Sequence, residues 1–518
     1  MDKTLLSIDC GTQSLRGILF SLKGEILGIQ RIPFEPYVSP KPGWAEQDPE
    51  VYWEALKAVC QNLKKENPED FNRLAGVGVT TLRDTMINVD KAGNPLRPSM
   101  VWLDQRKADS VYKPHLGMRL LFNIIGLEDS IDKAQKDGKC SWIRQNQPEV
   151  WEKTHKYLQV SGFLNYRLTD EFKDSVASQI GHIPFDYKKQ CWGNPKDIFT
   201  LNAKLFPVEK EKLPELVPAG QVLGKISKKA AAETGLPEDM PVISCGSDKG
   251  CETLGMGVVS DDWASLSFGT TATVQTTSKK YLEPVRYLPA YPAVIPCFYN
   301  PEVEIFRGFW MITWFKEEFA CKEVRKAKKK GIPAEVVMNR MLTKSEPGAH
   351  GLIVQPYWSP GLNRPSAKGS MIGFGDVHKK PHVYRAVIEG LTFALKEGME
   401  KIERVSKKKI HKLAVSGGAA QSDEICQITA DVFNLPVVRG KTTETSGLGA
   451  AVLTAVGTGN YRTLEEAIKN MVDYEDEFHP NREHVDAYLL LYQKVYRKMY
   501  RKLGPLFHHI RKITGYPG

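Results

Sequence analysis

Two short turns in this sequence contain residues suited to binding phosphate. In the first, an apolar strand ends in Asp9-Cys10-Gly11-Thr12-Gln13-Ser14, and a second apolar strand follows at once. In the second, an apolar strand leads into Gly269-Thr270-Thr271. A Gly-Thr turn between strands exposes backbone N–H groups and hydroxyls in a tight concavity, and such a concavity binds phosphate. One turn in each half of the chain predicts a nucleotide held between two related domains.

Asp9 is the acidic residue of the first turn. It ends a buried strand, and ligands of α/β sheets gather at the carboxyl ends of strands. A carboxylate there can hold Mg²⁺, directly or through water. The structural alternative is an Asp that bonds the amides of its own turn, and the spacing leaves both roles open. Arg16, on the next strand, is expected to neutralise a phosphate or to pair with Asp9.

Asp248 is the candidate general base. It follows a predicted strand at 241–247 and begins a segment rich in small residues. The alternative is an ordinary helix cap, because Ser247 and Asp248 are both preferred N-cap types, and spacing by itself favours the cap. Nearby glycines support the functional role, since they permit close approach of a ligand; they are Gly246, Gly250, Gly255 and Gly257.

Two further features could bind ligands. Gly417-Gly418-Ala419 joins an apolar strand to a helix, and a glycine turn at a helix N-terminus suits a nucleotide. Tight strand–helix turns need glycine in any case, so a structural role is equally open. Arg83-Asp84 places a charged pair on a strand that is otherwise apolar. Burying such a pair costs free energy unless the charges have partners or bind a ligand. The pair therefore predicts either a ligand site or a structural ion pair.

Composition narrows the class of protein. The 518 residues are enough for at least two large domains, and 42% hydrophobic with 25% charged residues is typical of a soluble globular protein. No segment approaches the ~20 apolar residues of a membrane span, and because Asp9 comes so early we expect no signal-peptide apolar region. Nine dispersed cysteines without metal spacing predict reduced thiols and a cytoplasmic protein.

The formal charge is +10, with basic runs around residues 321–333, 403–412 and 492–504. A basic chain can bind nucleic acid. Here the runs are separated in sequence, and the third has apolar residues at helical spacing, so we interpret them as solvated helix faces. We expect neither a nucleic-acid nor a membrane partner.

Strands and helices alternate along both halves, which predicts α/β architecture. One helix should span about residues 49–65, because Asp48-Pro49 is a good N-cap followed by proline at the first helical position. Strands are expected near residues 5–32 and 265–277, and a long helix at about 381–405. We place the domain boundary at 256/257, giving domains 1–256 and 257–518.

Five segments, in order, resemble motifs of the FGGY carbohydrate kinases. SIDCGTQSLRG (7–17) and LSFGTTATV (266–274) resemble the family's two phosphate motifs. PGWAEQDPEVYWEAL (42–56) is typical of its N-terminal domain. GSMIGFGDVHKKPHVYRAVIEGLTF (369–393) resembles its C-terminal signature, and VSGGAAQSDEICQITADVFNLPV (415–437) its adenosine motif. The likeness covers nearly the whole chain.

The resemblance implies two ribonuclease-H-like domains of the actin and hexokinase type, with an ATP cleft between them. It implies ATP and Mg²⁺, a sugar or polyol substrate, Asp248 as general base and Asp9 as the metal-linked carboxylate. The residues implied to face the transferred phosphate are Gly11, Thr12, Gln13, Ser14 and Arg16. Those implied to hold the rest of the nucleotide are Gly269, Thr270, Thr271, Gly308, Gly417, Gly418 and Ser422.

The substrate is less sharply defined. Arg83-Asp84 aligns on the Arg-Glu pair of glycerol kinases and Trp102 on their apolar wall, so these residues are implied to bind hydroxyls and carbon chain. Xylulokinases carry Met-His in place of Arg-Asp. Two departures count against glycerol: Lys249 replaces an amide residue after Asp248, and the substrate tyrosine position falls near Ala134. We expect a ketose, a sugar alcohol or a sugar acid paired with Lys249.

Two other functions stay open at this point. One is an ATP-driven conformational protein of the actin or chaperone type without a sugar substrate. The other is an inactive regulatory homologue, although the retained Asp9 and Asp248 argue against it. The resemblance also implies a homodimer.

Overall fold

The protein is described by a computed structural model. It covers residues 3–114, 117, 128–197, 200–286, 288–359, 364 and 366–516. Contacts divide the chain into two compact units. The first comprises Met1–Gly255, Tyr291–Tyr299 and Glu444–Asp473, and the second comprises Met256–Ala290, Asn300–Thr443 and Tyr474–Gly518.

Two stretches of the predicted second domain therefore belong, by their contacts, to the first unit. They are Tyr291–Tyr299 and Glu444–Asp473. Both bring residues to the candidate active site described below. The boundary at 256/257 itself stays a prediction.

The strands are short and, in the two main sheets, mostly buried. In chain order they are β1 (Thr4–Cys10), β2 (Ser14–Ser21), β3 (Ile26–Pro33), β4 (Glu46–Gln47), β5 (Leu74–Thr81), β6 (Met86–Val89), β7 (Ser99–Met100), β8 (Lys156–Gln159), β9 (Lys173–Ser175), β10 (Phe185–Asp186), β11 (Cys191–Trp192), β12 (Glu215–Val217), β13 (Val222–Lys225), β14 (Pro241–Ile243), β15 (Trp263–Phe268), β16 (Ala272–Gln275), β17 (Tyr291–Pro292), β18 (Tyr299–Asn300), β19 (Glu302–Ile305), β20 (Ile353–Gln355), β21 (Ser370–Ile372), β22 (Lys412–Ser416), β23 (Val437–Gly440) and β24 (Tyr474–Phe478).

The α-helices alternate with groups of these strands, and the last two follow β24. In chain order they are α1 (Pro49–Glu66), α2 (Pro68–Phe71), α3 (Glu128–Lys136), α4 (Lys139–Asn146), α5 (Pro148–Lys153), α6 (Val160–Thr169), α7 (Leu201–Leu205), α8 (Lys228–Thr234), α9 (Asp248–Gly255), α10 (Trp310–Phe319), α11 (Cys321–Lys330), α12 (Ala334–Asn339), α13 (Lys380–Ser406), α14 (Asp423–Phe433), α15 (Thr445–Gly457), α16 (Leu464–Met471), α17 (Arg482–Leu491) and α18 (Arg497–Thr514). No helix in the described part of the chain combines the length and apolar character needed to cross a membrane.

Each unit is built on a six-stranded sheet with the same pattern of neighbours. The first has the order β13-β14-β5-β1-β2-β3 and the second β19-β16-β15-β22-β23-β24. In the first, β1 pairs antiparallel with β2 and parallel with β5. In the second, β15 pairs antiparallel with β16 and parallel with β22. The repeated arrangement confirms the predicted α/β fold of two related domains.

Alternation along β1 decides what faces each side of the first sheet. Leu6 and Ile8 point into the core, which also contains residues of α1 and α6. Ser7 points to the other side, where its hydroxyl donates to the carbonyl oxygen of Gly447 in α15 at 2.8 Å. Asp9, two residues on, lies on this second side and at the end of the strand. The fold therefore places a carboxylate where the strand ends beside α15.

Candidate active site

Asp9 is the first carboxylate of the site. In the β1–β2 hairpin it pairs across the strands with Arg16, and Arg16 Nη1 lies 3.4 Å from Asp9 Oδ2 and 3.4 Å from Glu444 Oε2. The pKa of Asp9 is raised to about 7, chiefly by burial; the Arg16 guanidinium opposes the rise, and the charges of Asp248 and Glu444 add to it. The arginine thus pairs with carboxylates, one of the two roles that the sequence left open.

The negative charge around Asp9 suits a cation. The charges of Asp248 and Glu444 disfavour the ionisation of Asp9, and a positive ion would relieve that repulsion. In the described parts of the chain, no group of three or more His, Cys, Asp or Glu side chains is arranged to hold a metal ion by itself. A Mg²⁺ ion on nucleotide phosphates needs only one or two carboxylates. The residues present therefore fit a Mg²⁺ that arrives with a nucleotide.

The first turn is closed by its own backbone. The N–H of Gly11 donates to the carbonyl oxygen of Ser14 at 3.0 Å, which leaves Thr12 and Gln13 at the accessible tip. Thr12 Oγ1 accepts a hydrogen bond from Trp102 Nε1 at 3.1 Å. Trp102 is 41% exposed, so a large apolar ring stands open beside the phosphate-type turn.

Asp248 begins helix α9, but Ser247 provides the cap. Ser247 Oγ accepts from the N–H of Gly250 at 3.3 Å, whereas Asp248 Oδ1 accepts from the N–H of Lys249 at 2.7 Å and lies 3.7 Å from Arg83 Nε. The Asp248 side chain is 32% exposed. Burial raises its pKa above the usual value for Asp, and Arg83 and Lys249 oppose the rise. The carboxylate is thus accessible and shifted toward proton uptake.

Asp84 is tied into the protein by three hydrogen bonds to its carboxylate. Lys139 Nζ donates to Oδ2 at 2.7 Å, His182 Nδ1 lies 2.9 Å from the same oxygen, and the backbone N–H of His182 donates to Oδ1 at 3.1 Å. Although burial raises the pKa of Asp84, Lys139 and His182 hold it well below its usual range. The carboxylate of Asp84 is therefore bound by Lys139 and His182, while Arg83 lies against Asp248.

Several residues of this site were missed by sequence reasoning. Lys139 and His182 reach Asp84 from elements far along the chain, and Glu444 reaches Arg16. Tyr291 supplies an aromatic ring, with the Arg83 guanidinium 5.2 Å from its centre. No motif marks His182, Glu444 or Tyr291, and only the folded chain brings these residues to the site.

Lys249 already has a partner within its own helix. Its ammonium group donates to Glu252 Oε2 at 2.8 Å, one turn further along α9. The i, i+3 spacing of this pair is visible in the sequence. Its positive charge is thus balanced by the protein, which weakens the argument for an acidic substrate.

The predicted nucleotide residues gather in the second unit. The turn Gly269-Thr270-Thr271 joins β15 to β16, and the carbonyl oxygen of Gly269 accepts from the N–H of Phe309 at 3.0 Å. An added Cβ on Gly308 would lie 2.4 Å from the backbone nitrogen of Ala272, and one on Gly417 would lie 2.9 Å from the carbonyl carbon of Phe268. Both glycines thus pack directly against this hairpin.

A cavity of about 320 Å³ opens beside Gly417, a size suited to a small-molecule ligand. Its lining is formed by Val415, Ser416, Gly417, Ala420, Gln421, Arg439, Gly440, Lys441, Thr442, Thr443 and Glu475. Gly418 follows Gly417 in the turn that leads into α14, where Ser422 caps the helix by accepting from the N–H of Ile425 at 3.4 Å. The structure therefore brings one phosphate-type turn and a ligand-sized cavity together within one unit.

Comparison with known proteins identifies the family. The model of the N-terminal domain of the FGGY family of carbohydrate kinases matches residues 4–255, and that of the C-terminal domain matches residues 264–458. A xylulose kinase of Lactococcus lactis is 29% identical over 500 residues, covering 94% of this chain and 95% of the relative. A glycerol kinase of Thermococcus onnurineus is 28% identical over 495 residues, covering 93% and 94%.

Solved structures agree on the fold. The crystal structure of gluconate kinase from Lactobacillus acidophilus matches with a TM-score of 0.82 at 20% identity, covering 98% of this chain and 100% of that one. The predicted family, the two-domain fold and the enzyme class, a phosphotransferase with an alcohol group as acceptor, are confirmed. The chain belongs to the FGGY family of carbohydrate kinases.

Proposed function

We propose that this protein transfers the γ-phosphate of ATP to a hydroxyl of a sugar or polyol bulkier than glycerol, with Asp248 as the general base. The observation that carries the proposal is the state of Asp248. Its carboxylate is accessible, stands 3.7 Å from Arg83 and has a raised pKa. A base that is poised to take up a proton is what attack by a neutral hydroxyl requires.

The reaction follows from this arrangement. The acceptor hydroxyl gives its proton to an oxygen of Asp248 while its own oxygen bonds to the γ-phosphorus, and the bond from phosphorus to the ADP oxygen breaks. Positioning and charge stabilisation supply most of the rate in such transfers. Bound Mg²⁺ would neutralise phosphate charge, and Asp9 would hold it directly or through water. The positive charge of Arg83 would favour the ionised form of Asp248 until the proton of the hydroxyl arrives.

Substrate contacts are assigned by position. Trp102 offers an exposed apolar ring, and Tyr291 supplies an aromatic face beside Arg83. The relatives named above act, by their names, on xylulose, glycerol and gluconate. We infer a ketose or sugar alcohol for this chain, because the Lys249 charge is already balanced by Glu252. The proposal is tested by measuring ADP release from ATP with and without such an acceptor; release should require the acceptor.

Nucleotide binding is assigned to the cavity beside Gly417, and Gly418→Leu tests it. A Cβ at Gly418 would meet no other atom within 4 Å, so the fold should tolerate the change. A leucine there should obstruct an adenosine, and we expect the Kd for ADP to rise about 10-fold or more, a loss of about 1.4 kcal/mol. Calorimetric titration with ADP measures it.

Gly375→Leu is the matched control, because it adds the same side chain to an exposed glycine of the same unit. Its added Cβ would come no closer than 3.8 Å to another atom. ADP affinity should be unchanged in this control. Unaltered ADP binding by Gly418→Leu would place the nucleotide elsewhere.

The pH dependence of kcat/KM tests the influence of Arg83 on the base. Asp248 must be ionised to accept a proton, so activity falls as pH drops through its pKa, which lies above the usual value. The Arg83 guanidinium lowers that pKa. In Arg83→Met the pKa should therefore rise, and the acidic limb of the profile should move to higher pH. Arg144→Met, which removes a guanidinium paired with Glu209, should leave the limb in place; a shift of the Arg83→Met limb to lower pH would contradict the assignment.

A further inference from the structure

The carboxylate of Asp84 has little capacity left for a ligand. Oδ1 accepts from the backbone N–H of His182, and Oδ2 lies within hydrogen-bond distance of Lys139 Nζ and His182 Nδ1. The backbone N–H of Asp84 is also engaged, donating to Gln159 Oε1 at 3.1 Å. The main role of Asp84 is thus to orient Lys139 and His182, and not to bind a sugar hydroxyl directly.

The bond to Asp84 fixes the proton on the imidazole of His182. An ionised carboxylate can only accept hydrogen bonds, and the lowered pKa of Asp84 keeps it ionised. Nδ1 of His182 must therefore carry the proton, and in the neutral ring Nε2 presents a lone pair. Within the described ranges, Nε2 has no hydrogen-bond partner in the protein.

His182 is also held in place and reachable. Its ring packs edge-on against Phe206, with centroids 5.4 Å apart, and its side chain is 34% exposed. The loop before it is fastened because the backbone N–H of Gly181 donates to the Tyr187 hydroxyl at 3.0 Å. Arg83, the neighbour of Asp84 in sequence, reaches Asp248. His182 is thus bonded to Asp84, and the residue before Asp84 contacts the proposed base.

We propose that His182 is a substrate-binding residue whose Nε2 accepts a hydrogen bond from an acceptor hydroxyl other than the one phosphorylated. Asp84 and Lys139 are positioning residues that hold the imidazole in this tautomer. The proposal rests on the kinase function proposed above and deepens it. A hydrogen bond to Nε2 would select acceptors that carry a hydroxyl beyond the reacting end, such as ketoses and longer sugar alcohols.

Two amide variants separate binding from positioning. His182→Asn places a polar group near the position of Nδ1, so it can keep the bond to Asp84 but lacks Nε2. His182→Gln reaches the position of Nε2 instead. The probe is whichever of D-xylulose, D-gluconate and xylitol gives the largest ADP release with the wild-type protein. We expect His182→Asn to raise the acceptor KM about 10-fold, the loss of roughly one hydrogen bond, while the KM for ATP is unchanged and His182→Gln stays within about 3-fold of wild type.

The opposite pattern would overturn the proposal. If His182→Asn behaves like wild type and His182→Gln is impaired, His182 serves only to hold Asp84. An equal rise in the KM for ATP in His182→Asn would also overturn it, since this would show a general disturbance. Thermal unfolding of both variants identifies any loss of folding, and Lys139→Met should raise the acceptor KM through loss of positioning. If the wild-type protein releases no ADP with any of the three probes, the proposed acceptor class is contradicted. If the wild type is active and both variants behave like it, the role of His182 is overturned.

Discussion

Replacing Asp248 with asparagine should lower kcat about 1,000-fold, within the range that general base catalysis contributes. The amide keeps the size of the side chain and can still accept from the N–H of Lys249, which now lies 2.7 Å from Asp248 Oδ1. It cannot take the proton of the acceptor hydroxyl. ADP release at saturating acceptor measures kcat, and calorimetric titration should show an unchanged Kd for ADP.

Glu252→Gln is the matched control for this variant. Glu252 is a second carboxylate of the same helix and is 7% exposed, but its oxygen is engaged by Lys249. If Asp248 is the base, Glu252→Gln should retain kcat within about 10-fold of wild type. This control removes one structural ion pair and leaves the base in place. Near-normal kcat in Asp248→Asn would remove Asp248 from the mechanism.

Gly449→Ala should destabilise the first unit and impair catalysis together. An alanine Cβ at this position of α15 would lie 1.9 Å from the carbonyl oxygen of Cys251 in α9. Likewise, a Cβ added to Gly255 of α9 would lie 2.0 Å from the carbonyl oxygen of Thr445 in α15. The two helices contact each other backbone to backbone, so neither can yield by turning a side chain.

We expect the added methyl group to lower the free energy of unfolding by about 3 kcal/mol, which is the upper end of the range for overpacking a core. The melting temperature should fall by roughly 10 °C, at 2–4 °C per kcal/mol for a domain of this size. Because α9 begins with Asp248, kcat should fall as well. Thermal unfolding followed by circular dichroism and ADP release measure the two effects.

The control is the same substitution where a helix has space. Gly504 lies in α18, and a Cβ there would come no closer than 3.9 Å to any atom beyond its chain neighbours and the nearby helix backbone. Pro505 follows Gly504 and restricts the residue before it, which offsets the helix propensity of alanine. Gly504→Ala should therefore change the melting temperature much less than Gly449→Ala does. A melting temperature of Gly449→Ala equal to that of wild type would show that the two helices can separate freely.

Local signals in the sequence predicted many of the elements well. Asp48 caps α1 by accepting from the N–H of Glu50 at 3.0 Å, and the helix spans Pro49–Glu66 where residues 49–65 were expected. The long helix expected at 381–405 spans Lys380–Ser406. These ends depend on caps and turns within a few residues, which is information that the sequence carries locally.

The candidate site was predictable only in part. Asp9, Arg16 and Asp248 lie at strand and helix ends, where a motif can mark them. The sequence left open whether Asp248 only caps a helix. In the structure its neighbour Ser247 provides the cap of α9. Lys139 and His182 meet Asp84 across 55 and 98 positions of sequence. No periodicity or spacing predicts such a contact, since it depends on how loops pack in three dimensions.

The most direct test of the account is a comparison of wild type and Asp248→Asn with ATP, Mg²⁺ and each of D-xylulose, xylitol, D-gluconate and glycerol. Mass spectrometry of the products and ADP release are followed together. We predict that wild type forms a phosphorylated ketose or sugar alcohol in amounts equal to the ADP released, that glycerol is a poorer acceptor, and that Asp248→Asn forms about 1,000-fold less product in the same time. ADP release without a phosphorylated acceptor, or equal product from both proteins, would contradict the account.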